Sequence, residues 1–176
     1  MNTQYSVFTK PWKMPLPELG QHVRRLGFDG IELPIRPGFQ VEPVNVARDL
    51  PAAARILGDF GLQIRSVAGP TDEATISACA EAKISLIRIM VDIGGDGYLA
   101  TEARTLRHLE ILVPVLARYG VKLGIQNHCD QFVCHAMGLR RLFEPFDPAQ
   151  IGAIWDPAHN ALNGEDPEMS IDIVWS

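Results

Sequence analysis

Apolar residues in this chain alternate between short runs and helical stripes, and glycine marks most of the switches. Tyr5 to Phe8 reads as a first strand. Pro17 to Leu26 carries Leu19, Val23 and Leu26 on one helical face, with proline in its first turn and Gly27 to end it. Gly30-Ile31-Glu32-Leu33-Pro34-Ile35 is a second strand, followed by a loop rich in Pro and Gly from Arg36 to Val44. The helix from Val46 to Phe60 is expected to turn Ala47, Leu50, Ala54 and Leu57 inward, and Gly61 closes it. Leu62 to Ala68 is the third strand. Glu73 to Lys83 follows as a helix capped by Thr71 or Asp72. Leu86 to Val91 is the fourth strand, and Thr101 to Tyr119 the longest helix, with Leu106, Leu109, Leu112, Val113 and Leu116 at helical spacing. Val121 to Ile125 and Ile151 to Trp155 are strands five and six, with a helix from Ala136 to Phe146 between them. After Gly164, Asp166-Pro167-Glu168 opens a last helix that still runs at Trp175.

Strand starts recur about every 29 residues, the spacing of a parallel βα repeat. A closed eight-stranded barrel of ~250 residues uses ~31 per unit. The 176 residues therefore hold about six such units. A six-unit barrel leaves two open strand edges, which pair readily with other chains. Three arrangements satisfy that count: a piece of a longer barrel, a barrel completed by a partner, or an open doubly wound sheet.

Composition narrows the partners. A net charge of −5 with no basic stripe leaves no electrostatic footprint for nucleic acid. Cys79, Cys129 and Cys134 are few and odd in number, which argues for a reducing, cytoplasmic setting. Met1 to Tyr5 shows no basic-then-apolar leader, and no apolar run approaches the ~20 residues of a membrane span. No linker or low-complexity segment interrupts the chain, so residues 1–176 read as one domain.

The chemistry gathers where strands five and six end. Gln126-Asn127-His128-Cys129-Asp130 follows one, and Asp156-Pro157-Ala158-His159-Asn160 follows the other. In parallel α/β proteins active sites lie at those carboxyl ends. Asp156 puts a carboxylate at a strand end, and His159 three residues on can turn its imidazole to the same space. One oxygen and one nitrogen donor suit Mn²⁺, Mg²⁺, Zn²⁺ or Co²⁺. The same pair also reads as an Asx-type turn with an exposed histidine. His128, with Asn127, lies just past the strand, placed to face a substrate and exchange protons, or to bond its own loop. Glu32 ends strand two, as a hydroxyl ligand or as an ion-pair partner of Arg65 or Arg88. Lys10, Trp12 and Arg36 could supply a phosphate contact and an apolar wall, and Trp155 should turn toward the core. Cys129 and Cys134 lack finger-like spacing and read as small, partly buried residues. The Gly94-Gly95-Asp96-Gly97 loop has no phosphate-cradle pattern.

Gly30-Ile31-Glu32-Leu33, Ile125-Gln126-Asn127-His128 and Trp155-Asp156-Pro157-Ala158-His159, in that order, resemble the xylose-isomerase-like barrels. These form the sugar phosphate isomerase/epimerase superfamily, which also contains the type IV endonuclease. The resemblance implies an α/β (β/α)8 TIM-barrel fold, of which about six of eight units are present. It also implies a divalent metal at the barrel mouth, held by a Glu ending strand five, an Asp ending strand six, a His on strand seven and a Glu on strand eight. Asp156 matches the Asp. Gln126 stands where the Glu is expected, and the last two ligands would lie beyond Ser176. His159 matches a histidine that contacts substrate in epimerases or a second metal in the endonuclease.

The expectation is thus a metal-dependent sugar or sugar-phosphate isomerase or epimerase working by proton transfer through an enediolate. Asp156 and Gln126 would be its metal ligands, and His128 and His159 its catalytic groups. Glu32, Asn127, His159 and Trp12 would bind substrate. A homo-oligomer is expected from the open edges, and inactivity from the 176 residues alone. Gln126 is neutral and cannot act as a base, which keeps a non-catalytic sugar-binding barrel as the alternative. The endonuclease would need more histidine ligands and a basic face.

Overall fold

The computed structural model describes residues 3–175. Met1, Asn2 and Ser176, which enter the one-domain and no-leader expectations, lie outside the described residues. Six strands alternate with helices, and the sheet runs in chain order, β1-β2-β3-β4-β5-β6. The pairs β1–β2, β2–β3 and β5–β6 are parallel. Backbone contacts divide the chain into two units, Met1–Ile87 with Tyr119–Val121, and Arg88–Arg118 with Lys122–Ser176.

The first unit holds β1 (Ser6–Phe8), α1 (Leu16–Arg25), β2 (Gly30–Pro34), α2 (Val46–Gly58), β3 (Gln63–Ala68) and α3 (Glu73–Glu81), with a 3₁₀ turn at Pro43–Asn45. Leu19 and Val23 of α1 are fully buried, and Gly27 ends the helix at φ +85°. That left-handed turn favours glycine, which has no Cβ to clash. Gly20 lets α1 lie against Phe60: a Cβ there would come within 2.6 Å of the ring. The inward face of α2 is Val46, Leu50, Pro51, Ala53 and Leu57. Ala47 is exposed and Ala54 half-buried, which corrects the expected stripe. Asp72 caps α3, accepting from Thr75 N at 2.9 Å. The β2–β3 register shifts between Ile31 and Glu32, so that Glu32 stands opposite Ser66.

The chain passes to the second unit along β4 (Leu86–Ile89). The second unit continues with α4 (Tyr98–Tyr119), β5 (Lys122–Gln126), α5 (Ala136–Phe143), β6 (Ile151–Ile154), α6 (Pro157–Leu162) and α7 (Pro167–Trp175). Leu109, Leu112 and Leu116 form the buried stripe of α4, while Pro114 sits within the helix on its exposed side. Strands β5 and β6 pair from Leu123–Ile151 to Gln126–Ile154. The short helix α6 was not expected; Pro157 starts it at a position where a missing N–H costs nothing. Among the described residues no helix is long and apolar enough to cross a membrane.

One ion pair ties α4 to α5. The Arg141 guanidinium donates from Nε and Nη2 to the buried Glu102 carboxylate at 3.0 and 2.7 Å. These bonds hold the Glu102 carboxyl below its usual pKa, against the opposite pull of burial. Arg141→Ala leaves that carboxylate without its fork of donors. It should lower the urea midpoint of unfolding at neutral pH. A carboxyl with a depressed folded pKa stabilises above its ordinary value and loses this as pH falls. The difference between wild type and variant should therefore shrink below pH 4.5.

Candidate active site at the ends of β5 and β6

The register that sets Gln126 opposite Ile154 brings the two polar tips side by side. Asn127 then locks them together. Its Oδ1 accepts from Asp156 N at 2.7 Å, and its Nδ2 donates to Asp156 O at 3.0 Å. Asn127 is 1% exposed. The sequence suggested that it faces a substrate; instead both ends of its amide hold the backbone of Asp156.

Asp156 is the N-cap of α6. Its Oδ1 accepts from Ala158 N at 2.9 Å and from His159 N at 3.0 Å, satisfying two N–H groups that the helix cannot. Its Oδ2 accepts from Gln126 Nε2 at 2.7 Å. Gln126 Oε1 in turn accepts from Arg88 Nη1. A guanidinium only donates and a carboxylate only accepts, so this order fixes which way the Gln126 amide points. The result is a relay, Arg88 to Gln126 to Asp156, in which a neutral amide joins a buried cation to a carboxylate. Arg88 was not singled out as part of this site from the sequence. The available signal was one charge within an apolar strand, Leu86-Ile87-Arg88-Ile89.

His128 and His159 meet beside this relay, with ring centroids 3.8 Å apart and planes at 35°. Phe132 backs His128 at 4.6 Å. The loop between β5 and α5 reverses at Asp130, where φ is +69°, a turn that Asp tolerates better than most residues. The loop is pinned by Val133 N to Val91 O at 2.9 Å and by Ile93 N to Gln131 O at 2.8 Å. His128 Nδ1 lies 2.8 Å from the carbonyl oxygen of Cys129. A carbonyl only accepts, so Nδ1 carries hydrogen and Nε2 of the neutral ring is left as an acceptor. His159 Nδ1 accepts from Cys129 N at 3.3 Å and lies 3.1 Å from Cys129 Sγ, which leaves its hydrogen on Nε2. The two rings therefore offer opposite faces, one accepting and one donating. Partial burial, with the nearby Asp130 carboxylate, pushes the Cys129 thiol pKa up. The sequence reads Cys129 as a packing residue; in the structure it bonds to His128 through its carbonyl and to His159 through its N–H, contacts set by the loop reversal.

Trp12 and Glu32 belong to the first unit. Trp12 meets His22 edge-on at 4.8 Å, and Glu32 accepts from Ser66 Oγ at 3.2 Å. Thr9 links their backbones, donating from N to Glu32 O and accepting from Trp12 N. Trp155 is only half-buried, and its Nε1 donates to Asn160 Oδ1 at 3.3 Å.

A family model described as the xylose isomerase-like TIM barrel matches residues 21–176. The chain belongs to the xylose isomerase-like TIM barrel family. Solved structures agree on the fold. A 3-keto-D-glucoside 4-epimerase from E. coli aligns at TM-score 0.79 and 14% identity, over 98% of this chain and 75% of its own. A D-psicose 3-epimerase from Clostridium cellulolyticum H10 aligns at TM-score 0.77 and 11% identity, over 98% and 70%. A xylose isomerase domain protein from Planctomyces limnophilus aligns at TM-score 0.73 and 13% identity, over 99% and 71%. No curated protein matches the sequence.

The divalent metal implied by this family was expected on Gln126 and Asp156. In this xylose isomerase-like chain those two side chains do not present a pair of oxygens to one point. The Gln126 oxygen is turned to the Arg88 guanidinium, and its NH₂ faces the carboxylate. Asp156 Oδ1 is already shared between two backbone donors. Hard cations need several oxygens and net negative charge, and here one carboxylate, offset by the Arg88 charge, supplies little of either. Gln126→Glu restores the second carboxylate. It should raise Mn²⁺ affinity by about tenfold or more in calorimetry, an increase that Asp156→Asn removes.

Proposed function

We propose that this chain is a sugar isomerase or epimerase that moves a proton at the carbon next to a sugar carbonyl. The observation that carries this reading is the His128–His159 pair, with its opposed acceptor and donor nitrogens at a strand end of a family rich in sugar epimerases. His128 Nε2 would take the proton from the alpha carbon. The electron pair of that C–H bond becomes the new C=C bond, and the carbonyl oxygen gathers the charge of the enediolate. His159 Nε2–H would donate a hydrogen bond to that oxygen. Return of the proton to the former carbonyl carbon, as the hydroxyl proton on the alpha carbon passes to the former carbonyl oxygen, gives an isomer, and protonation of the alpha carbon on its opposite face by solvent gives an epimer. Asp156 would act through position, because its cap fixes the backbone of His159. No step passes through a metal on Gln126 and Asp156, since their donor set does not suit one. The substrate class is a small keto or aldo sugar, or its phosphate.

Ketohexoses incubated with the protein in D₂O should lose the NMR signal of the proton alpha to the carbonyl. His128→Ala should slow that exchange by about 100-fold or more. Sugar binding with no exchange at all would refute the catalytic reading and leave a binding barrel.

A further inference from the structure

His128, Cys129 and His159 are the one group of metal-capable side chains among the described residues whose ligand atoms all lie within 4.8 Å of one another. The set is two imidazoles and one thiol, and all three residues are half-buried, so an ion can reach them. We infer that these three residues form a binding site for a borderline-soft divalent cation of the zinc class, separate from the Asp156–Gln126 pair and with an open fourth position.

The local bonding supports this beyond proximity. His128 donates Nδ1–H to the Cys129 carbonyl, the same outer contact that commonly fixes the tautomer and aim of a zinc-bound imidazole. Its Nε2 is thereby left with a free lone pair. His159 Nδ1 and Cys129 Sγ stand 3.1 Å apart. Zinc bonds of ~2.3 Å to sulfur and ~2.0 Å to nitrogen at a tetrahedral angle need about 3.5 Å between those atoms. That contact has to open by a few tenths of an ångström, while the two rings, with centroids 3.8 Å apart, must also separate and His159 Nδ1 must release the Cys129 N–H before both imidazoles can face one tetrahedral ion. Binding replaces the thiol proton, which passes to solvent, by a sulfur–metal bond, with no change of oxidation state. Three protein ligands and one open position are the arrangement of catalytic rather than structural zinc.

Selectivity follows from the donor types. Thiolate and imidazole favour Zn²⁺ and Co²⁺, whereas Mg²⁺ and Mn²⁺ favour oxygen. His128 Nε2 is also the proposed proton acceptor, so an ion here would draw that nitrogen away from that role, while His159 would bind the ion through Nδ1 and keep its Nε2–H. The inference itself does not depend on that reading, and its test uses no sugar.

The full chain is titrated with Co²⁺ and followed by absorption. One equivalent should produce a thiolate-to-cobalt charge-transfer band with tetrahedral d–d bands. Zn²⁺ should displace these, and excess Mg²⁺ should not. Cys129→Ser should abolish the charge-transfer band and weaken Zn²⁺ binding more than about tenfold, while Cys134→Ser should leave both unchanged. X-ray absorption at the zinc edge of the wild-type protein needs no variant and should show one sulfur with two imidazole nitrogens. An oxygen-only shell, no sulfur band at stoichiometric Co²⁺, or a band lost in Cys134→Ser but kept in Cys129→Ser would each overturn the assignment.

Discussion

The Asp156 carboxylate is the constraint on which the rest of the site depends. It closes the N-terminus of α6 with one oxygen and receives the Gln126 amide with the other. A partly buried carboxylate is tolerated only when its lone pairs are met by donors. Here the donors come from the strand before it and the helix after it. Asn127 completes the arrangement by holding the backbone of Asp156 on both sides. Because His159 N is one of the cap donors, the position of that histidine follows from the carboxylate. Arg88 supplies the compensating charge through the neutral Gln126 amide.

That relay also decides which chemistry the two strand ends can share. An amide whose oxygen is bound to a guanidinium cannot also turn that oxygen to a cation beside Asp156. At these two residues the structure shows a hydrogen-bonded array in place of two oxygens turned to one point. The metal-capable side chains gathered there offer nitrogen and sulfur, on His128, His159 and Cys129. In the proposed readings they serve proton exchange or a borderline-soft ion, and both uses draw on His128 Nε2. The site belongs to a familiar position in the barrel family but carries a different donor set from the one the position suggests.

Several features were legible in the sequence because they depend on local rules. The Gly27, Gly61 and Gly120 helix stops all have positive φ, and the periodicity located every strand to within a residue or two. Where the pattern failed, the cause was equally local. Alanines carry too little apolar weight to orient a helix, so α2 was rotated in the reading. Pro51, absent from the expected stripe, faces the core. The helix α6 is only six residues long, too short to show periodicity, though its Asp-Pro start was read as a possible cap. Asn127 resembled a substrate group because a polar residue at a strand end looks the same whether it turns out or in.

The sequence by itself determined the βα order, the family and the two polar tips at Gln126 and Asp156. Those rest on periodicity, glycine punctuation and residue spacing, which act over a few positions. Only the tertiary structure decided what the tips do. The loop reversal at Asp130 carries Cys129 to His159 across 30 residues of chain, and the β5–β6 register brings Gln126 to Asp156 across the same separation. A side chain's role as ligand, cap or relay depends on which partner satisfies its lone pairs. That partner is chosen by packing between strands, not by neighbours in sequence.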